Sequence, residues 1–238
     1  MKYFIKKKIK SLLAFIEDNF RFGKATKSPI DFYLDEVSRN CYDFFKEHIS
    51  RSSVFLKDDD IRHYSISKAF NNNKSKDNIF LEFGVYKGNS IELFAKFLSQ
   101  HSLEIYGFDS FEGLEEDWIV SDYNPAGTFS FNPKNLKIPK NAKIIKGKVQ
   151  HTLNDFLKKN KDKKITFIHM DMDTYIPTKY VLEKIKPFLQ KGSVILFDEL
   201  YGFPNWEKHE YKALNEAFNE NEYKYFAFGT RQVSIEIL

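Results

Sequence analysis

A single cysteine, Cys41, stands in a chain of 238 residues. It excludes an internal disulfide, and no Cys/His cluster has the spacing of a zinc site, which fits a reduced, intracellular setting. Glycine and proline are scarce, at 10 and 7 residues. Long apolar runs are missing too. The longest uncharged stretch of the N-terminus, SLLAFI, is too short for a signal-peptide core or a membrane span. Charge of one sign is not in excess: 37 basic against 33 acidic residues leave a net +4. A nucleic-acid binder of this size is more basic and gathers that charge on one face, so no nucleic-acid partner is expected. What the chain does contain is apolar and aromatic mass, 42% and 17%, with 25 Phe and 13 Tyr. That is ample for a buried core and excludes a disordered chain. The Lys/Asn/Ile/Phe bias resembles that of a low-GC bacterial genome.

Residues 1–75 read as helical. In MKYFIKKKIKSLLAFIEDNF, the residues Ile5, Ile9, Leu12, Leu13, Ile16 and Phe20 share one helical face while lysines load the first turns. Two readings stand: an interfacial helix on an anionic membrane, or a helix packed on the body or on a partner subunit, as in a homodimer. PIDFYLDEVSRNCYDFFKEHI is a second periodic segment with Pro29 at a first helical position. DDDIRHYSISKAF is a third, with Asp58 to Asp60 offering an N-cap. The polar run NNNKSKDN at 71–78 marks a junction, giving an N-terminal helical extension (1–75) and a core domain (76–238).

After the junction, short apolar runs alternate with helical periodicity. IFLEF, LEIYGFD, AKIIKG, KITFIHMD and GSVILFDEL read as strands separated by helices, and YKYFAFG with RQVSIEIL as a closing antiparallel pair around Gly229. The pattern predicts an α/β fold with a mostly parallel sheet covered on both faces. The segment from about 110 to 140 lacks periodicity and contains Trp118, Tyr123 and Phe129, which marks it as a lid.

Four motifs carry chemistry. In LEFGVYKGNS, Glu82, Gly84 and Gly88 lie where a strand gives way to a helix. Glycines there let a ligand approach the backbone at a helix N-terminus; the alternative is an ordinary tight turn. The spacing departs from G-x-G-x-x-G and so excludes a dinucleotide. In YGFDSFEGL, Asp109 ends the next strand, where an acid accepts hydrogen bonds from ribose hydroxyls. HMDMDTY places Asp171 and Asp173, and ILFDEL places Asp198 and Glu199, at the ends of two further strands. Clustered carboxylates repel unless a cation lies between them, and hard oxygen ligands suit Mg²⁺ or another hard divalent ion. The alternative is a set of helix-capping acids. His169 lies within a strand and reads as a packed or hydrogen-bonded core residue, with His151 and His209 as further candidate bases.

These motifs, in this order over about residues 78–238, resemble class I S-adenosylmethionine-dependent O-methyltransferases, and most closely the macrocin/mycinamicin-type (TylF-like) sugar O-methyltransferases. The resemblance implies a Rossmann-like, seven-stranded, mostly parallel sheet with an antiparallel C-terminal hairpin, preceded by N-terminal helices. It implies that Glu82, Gly84, Tyr86, Gly88 and Ser90 hold the methionine part of S-adenosylmethionine. Asp109 would hold its ribose, Ser110 and Phe111 would lie towards the adenine, and Gly147 to Gln150 would close the adenine end. Asp171, Asp198 and Glu199 would be metal ligands, with Asp171 and Asp173 as the catalytic acids. Two departures stand out: no Lys follows the first metal Asp, and Glu199 is a methylene longer than the usual ligand. The implied activity is metal-dependent methylation of a hydroxyl on a sugar or glycan precursor, such as a bacterial surface polysaccharide or a glycosylated metabolite. It would take place in the cytoplasm or peripheral to the inner membrane. The alternatives are a metal-independent small-molecule methyltransferase and a non-catalytic cofactor-binding protein. Two further expectations follow. Residues 201–210 would line the acceptor side, and Gly84→Val would abolish cofactor binding in a folded chain.

Overall fold

The computed structural model describes residues 27–75 and 77–238. The amphipathic segment at 1–20, with its expected membrane or subunit contact, lies outside the described residues. The chain divides into two compact units, Met1–Glu36 and Val37–Leu238. Among the described residues, no helix is long and apolar enough to cross a membrane.

In the order of the chain the second unit contains the end of α1 (Pro29–Ile49), then β1 (Ser53–Val54), α2 (Asp58–Asn72), β2 (Ile79–Phe83) and α3 (Asn89–Ser99). Next come β3 (Ile105–Asp109), the two short strands β4 (Trp118–Ile119) and β5 (Tyr123–Asn124), then β6 (Ala142–Lys146) and α4 (Val149–Lys159). The chain closes with β7 (Ile165–Met170), α5 (Tyr175–Ile185), β8 (Leu189–Phe197), α6 (Glu210–Ala217), β9 (Tyr223–Phe228) and β10 (Val233–Ile237).

The main sheet has eight strands in the order β1-β9-β10-β8-β7-β2-β3-β6. Only β10 runs antiparallel, to both β8 and β9. The seven expected strands are present. The eighth, β1, is a two-residue edge strand beside β9, too short to show as a periodic run in the sequence.

Alternate side chains of the strands enter two different cores, as the pleat requires. Leu81, Phe83, Ile168, Met170, Ile195 and Phe197 join one face with α4, α5 and α6. Phe80, Phe167, Val194 and Leu196 join the other with α2 and α3. Burial on both faces explains why β2 and β7 read as continuous apolar runs rather than alternating ones.

The boundary between the units falls well before the polar run at 71–78. Phe45 of α1 is fully buried, with the rings of Tyr201, Trp206, Tyr225 and Phe228 within 6 Å of it. Ile61, Ile66 and Ala69 of α2 are also fully buried. From residue 37 onward the helical segment therefore belongs to the core rather than to an extension. The expected N-cap on α2 takes another form: Lys57 is the capping position, and Asp58, Asp59 and Asp60 fill the first turn, where their charge faces the positive end of the helix.

The chain runs from β2 outward to β3 and β6, then returns to the other side of β2 at β7. The carboxyl ends of β2 and β7 thus flank the reversal of strand order, the place where open parallel sheets bind ligands.

Candidate active site

A cavity of about 270 Å³ opens at this point, lined by Gly84 and Tyr86 after β2, Asp109 and Ser110 after β3, Gly147 and Lys148 after β6, Asp171 and Asp173 after β7, and Glu199 after β8. Trp118 and Phe129 from the 110–140 segment close one wall. Of the expected site residues, Glu82, Gly88, Ser90, Phe111, Gln150 and Asp198 do not line it.

Gly84 is required by backbone contact. Its φ is +86°, and a Cβ there would lie 1.7 Å from the carbonyl oxygen of Asp171. The loops after β2 and β7 therefore touch main chain to main chain. This overturns the expectation of a folded Gly84→Val variant, because any side chain would push the two loops apart. Gly88 serves a different purpose. It opens α3 in the left-handed region, and its Cα faces Leu136 and Ile138 rather than the cavity.

Asp109 organises one end of the cavity. Its Oδ2 accepts the backbone N–H groups of Val85 (2.8 Å) and Tyr86 (2.7 Å), and its Oδ1 accepts that of Phe111 (2.6 Å). Tyr86 and Phe111 are both held at positive φ, 47° and 61°. Such conformations persist only where surrounding bonds over-determine them, and they cluster at functional sites. A carboxylate has about four acceptor positions, so roughly one remains on Asp109 for a ligand hydroxyl.

Gln150 donates to Glu115 Oε2 at 2.9 Å, and its own Oε1 is buried without a partner. Gln150 thereby fixes Glu115, which does line the cavity.

The acids lie at the other end. Ligand atoms of Asp171, Asp173 and Glu199 all lie within 4.8 Å of one another. Asp173 sits at φ 59°, which a short polar side chain tolerates better than most, and which brings its carboxyl back towards the loop after β8. Burial, together with the neighbouring carboxylates, lifts Asp171 and Asp173 well above the usual carboxylate range. Burial and the charge of Asp198 push Glu199 up to about 7. Three crowded hard oxygen donors of this kind fit a divalent cation such as Mg²⁺.

Asp198 lies beside this group, in a second set with Asp171 and His169 whose ligand atoms all lie within 4.8 Å of one another. Its Oδ1 accepts from Arg62 Nη2 (2.9 Å), pairs with His169 Nε2 (3.0 Å) and accepts from the Gln232 side-chain amide. His169 is fully buried. Its other nitrogen, Nδ1, pairs with Glu82 Oε1 at 3.0 Å, and Glu82 also accepts from Ser90 Oγ. With both ring nitrogens engaged, His169 has no free lone pair for a metal or a substrate, in keeping with a hydrogen-bonded core histidine. Burial alone would lower its pKa, but its bonds to Asp198 and Glu82 raise it to about 10. Burial would likewise raise the Asp198 carboxyl, but His169 and Arg62 hold it far below the usual range. Glu82 is thus the far end of a buried polar chain under the cavity floor.

Sequence reasoning missed four participants. Arg62 lies on a helix assigned to the extension, Gln232 in a closing hairpin, and Glu115 and Glu116 in the lid. Glu116 Oε1 accepts the Ile176 N–H at the start of α5. The lid itself is built rather than loose. Leu114 and Thr128 pair at 2.9 Å, β4 pairs with β5, and Asp117 accepts from Ala126 N and Tyr123 Oη. Residues 201–210 do not line the cavity. Trp206 is buried against Phe44, Phe45 and Tyr211, while Phe203 lies 6.1 Å from the Trp118 ring and Asn205 Nδ2 donates to the Ile119 carbonyl at 3.0 Å.

Comparison with known proteins agrees with this architecture. The crystal structure of CalS11, a calicheamicin methyltransferase, is similar with a TM-score of 0.63 at 22% identity, over 89% of this chain and 94% of that one. An apo structure of CalS11, a TDP-rhamnose 3'-O-methyltransferase of calicheamicin biosynthesis, gives 0.56 at 22% identity, over 89% and 96%. The O-methyltransferase NovP gives 0.55 at 16% identity, over 75% and 78%. At these identities the likeness establishes the fold. No curated protein sequence matches the chain. The methyltransferase-domain model Methyltransf_24 matches residues 81–200, just over half of the chain and the stretch that runs from the Gly84 loop to the acids after β8. The chain belongs to that methyltransferase-domain family and is an S-adenosylmethionine-dependent methyltransferase.

Proposed function

We propose that this methyltransferase acts on a hydroxyl of a sugar, carried on a sugar nucleotide or a glycan precursor, with a hard divalent cation held at the acids. The observation that carries the reading is the convergence of Asp171, Asp173 and Glu199 on the same cavity that Gly84, Asp109 and Gly147 line. The sugar class is supported by the resemblance to sugar O-methyltransferases and by the TDP-rhamnose substrate named for CalS11.

S-adenosylmethionine supplies a methyl group on a sulfonium. A divalent cation, when bound, lowers the pKa of a nearby hydroxyl. The remaining tasks belong to the chain. Asp109 holds the 84–86 loop against the cofactor and offers an acceptor position to its ribose, and Gln150 holds Glu115 at the adenine end of the cavity. Asp171, Asp173 and Glu199 hold the cation. Asp171 and Asp173 are the acids placed to receive the acceptor proton. Trp118, Phe129 and Met172 form an apolar wall that orients the acceptor and excludes water.

The test is transfer of a labelled methyl group to sugar nucleotides and fractionated glycans, with Mg²⁺ and with excess chelator. The expected result is transfer to a sugar that chelator abolishes. Full activity in chelator overturns the role of the cation. Transfer to non-sugar small molecules alone favours the metal-independent alternative.

A further inference from the structure

Glu210 opens α6 and is fully buried. It is the last residue of the segment expected at the acceptor wall, and it does not line the cavity. Its Oε2 accepts the main-chain N–H of Glu199 at 3.2 Å, and the main-chain N–H of Met172 lies within bonding reach of the same carboxyl. Met172 stands between Asp171 and Asp173, and the Glu199 amide belongs to the peptide that joins Asp198 to Glu199. One side chain therefore meets both acid-bearing loops, the one after β7 and the one after β8. Its other oxygen, Oε1, is buried without a hydrogen-bond partner, and no cation among the described residues pairs with the carboxyl. A buried carboxyl with no cationic partner destabilises a fold, and this one also stands near the like charges of Glu199 and Asp198. Neither packing nor ion pairing accounts for an acid at this position. α6 is in turn fastened to α5, the helix that follows Asp173. Tyr175 Oη and Lys179 Nζ both donate to Glu216 Oε2, at 2.6 and 2.5 Å. Glu210 lies outside the stretch 81–200 that matches the family model.

We propose that Glu210 is a positioning residue: through the main-chain amides of Met172 and Glu199 it sets the spacing between the acids after β7 and those after β8, and so shapes the cation seat without touching the ion. This rests on the cation reading given above. A bond from a main-chain N–H needs an acceptor oxygen at the right reach, and it does not need a charge. Glutamine offers that oxygen on a side chain of the same length. Its NH₂ group falls where Oε1 has no partner, so no existing bond is lost. Alanine removes the acceptor and leaves the two loops without their common tie. Groups that orient metal ligands from behind matter about 10- to 100-fold in metal affinity.

The experiment is a titration of the full chain with Mn²⁺ alone, followed by electron paramagnetic resonance, on the wild type, Glu210→Gln and Glu210→Ala. Glu210→Ala is expected to bind Mn²⁺ about tenfold more weakly than wild type. Glu210→Gln is expected to stay within about twofold of wild type, because the acceptor oxygen is kept. The affinity for S-adenosylhomocysteine, read by calorimetry, is expected to stay within about twofold of wild type in both variants, since Glu210 meets neither Asp109 nor the Gly84 loop. Unchanged or tighter Mn²⁺ binding in Glu210→Ala overturns the proposal and marks a merely structural acid. A loss in Glu210→Gln as large as that in Glu210→Ala overturns it in favour of a simple charge effect. A parallel loss of S-adenosylhomocysteine affinity overturns it in favour of a general disturbance of the fold. A wild type that binds no Mn²⁺ overturns the cation reading itself and this inference with it. Should Glu210→Ala fail to fold by circular dichroism, Glu210→Asp keeps the charge and shortens the reach by one methylene. It is expected to weaken Mn²⁺ binding several-fold, and unchanged binding there overturns the proposal.

Discussion

His169 Nδ1 lies 3.0 Å from Glu82 Oε1 in the interior of the sheet, with both side chains fully buried. The other ring nitrogen reaches Asp198 at 3.0 Å. One imidazole therefore ties the acid below the Gly84 loop to the acid behind the cation-binding carboxylates. His169→Leu leaves two carboxylates without their shared partner. Removing one member of a buried charged set costs about 3–5 kcal/mol. Denaturant unfolding is expected to show a loss of that size, and a change under about 1 kcal/mol would contradict the pairing.

Stability should fall as pH rises, and the sign follows from two raised values. Glu199 titrates near 7 in the folded chain against an ordinary 4.5. Between those values the folded state holds a proton that the unfolded state has released, so unfolding becomes easier with rising pH. His169, raised from 6.5 to about 10, extends the decline. Its contribution is complete below 6.5 and is lost as pH climbs through about 10. A cation bound by Asp171, Asp173 and Glu199 favours their ionised forms and removes the first part of the slope. Thermal melts in chelator should therefore decline from about pH 5 to about 7.5 more steeply than melts in Mg²⁺. Parallel curves would argue against a cation at these acids.

Gly84→Ala is expected to destabilise the fold rather than silence the site. A Cβ would lie 1.7 Å from the Asp171 carbonyl oxygen at a φ of +86°. Such strain costs at least about 2 kcal/mol. A lowered melting temperature together with weakened cofactor binding is the expected pair of results. Wild-type stability would show that the two loops do not meet as described.

Gln150→Leu tests the adenine end. It leaves Glu115, which lines the cavity, without the donor that fixes it. One neutral hydrogen bond is worth about 1 kcal/mol, so the Kd for S-adenosylhomocysteine should rise about five- to tenfold by calorimetry. An unchanged Kd would place the adenine elsewhere.

Much of the fold is legible in the residues. Continuous apolar runs such as IFLEF and ITFIHM are what strands buried on both faces require, and their alternation with amphipathic segments dictates a parallel sheet. The placement of Gly84, Asp109, Asp171 and Glu199 at strand ends follows from the same pattern, because parallel strands end at one edge. Three features were not readable. The two-residue β1 carries no periodicity. The lid's order comes from side chain–backbone bonds such as Asp117 to Ala126, which no hydrophobic pattern records. The helices at 37–72 looked like an appendage because amphipathicity reveals that a face is buried but not what covers it.

By itself the sequence determined the sheet, the edge at which chemistry occurs and the acids that gather there, since these depend on local pattern and on strand direction. The division of labour among those acids was decided only by tertiary structure. Glu82 and Asp198 share His169, and Asp198 is claimed by Arg62 and Gln232 from elements 136 and 34 residues away in the chain. Hydrogen bonds between residues so distant depend on how helices and strands pack in three dimensions, and packing leaves no mark in the spacing of residues along the chain.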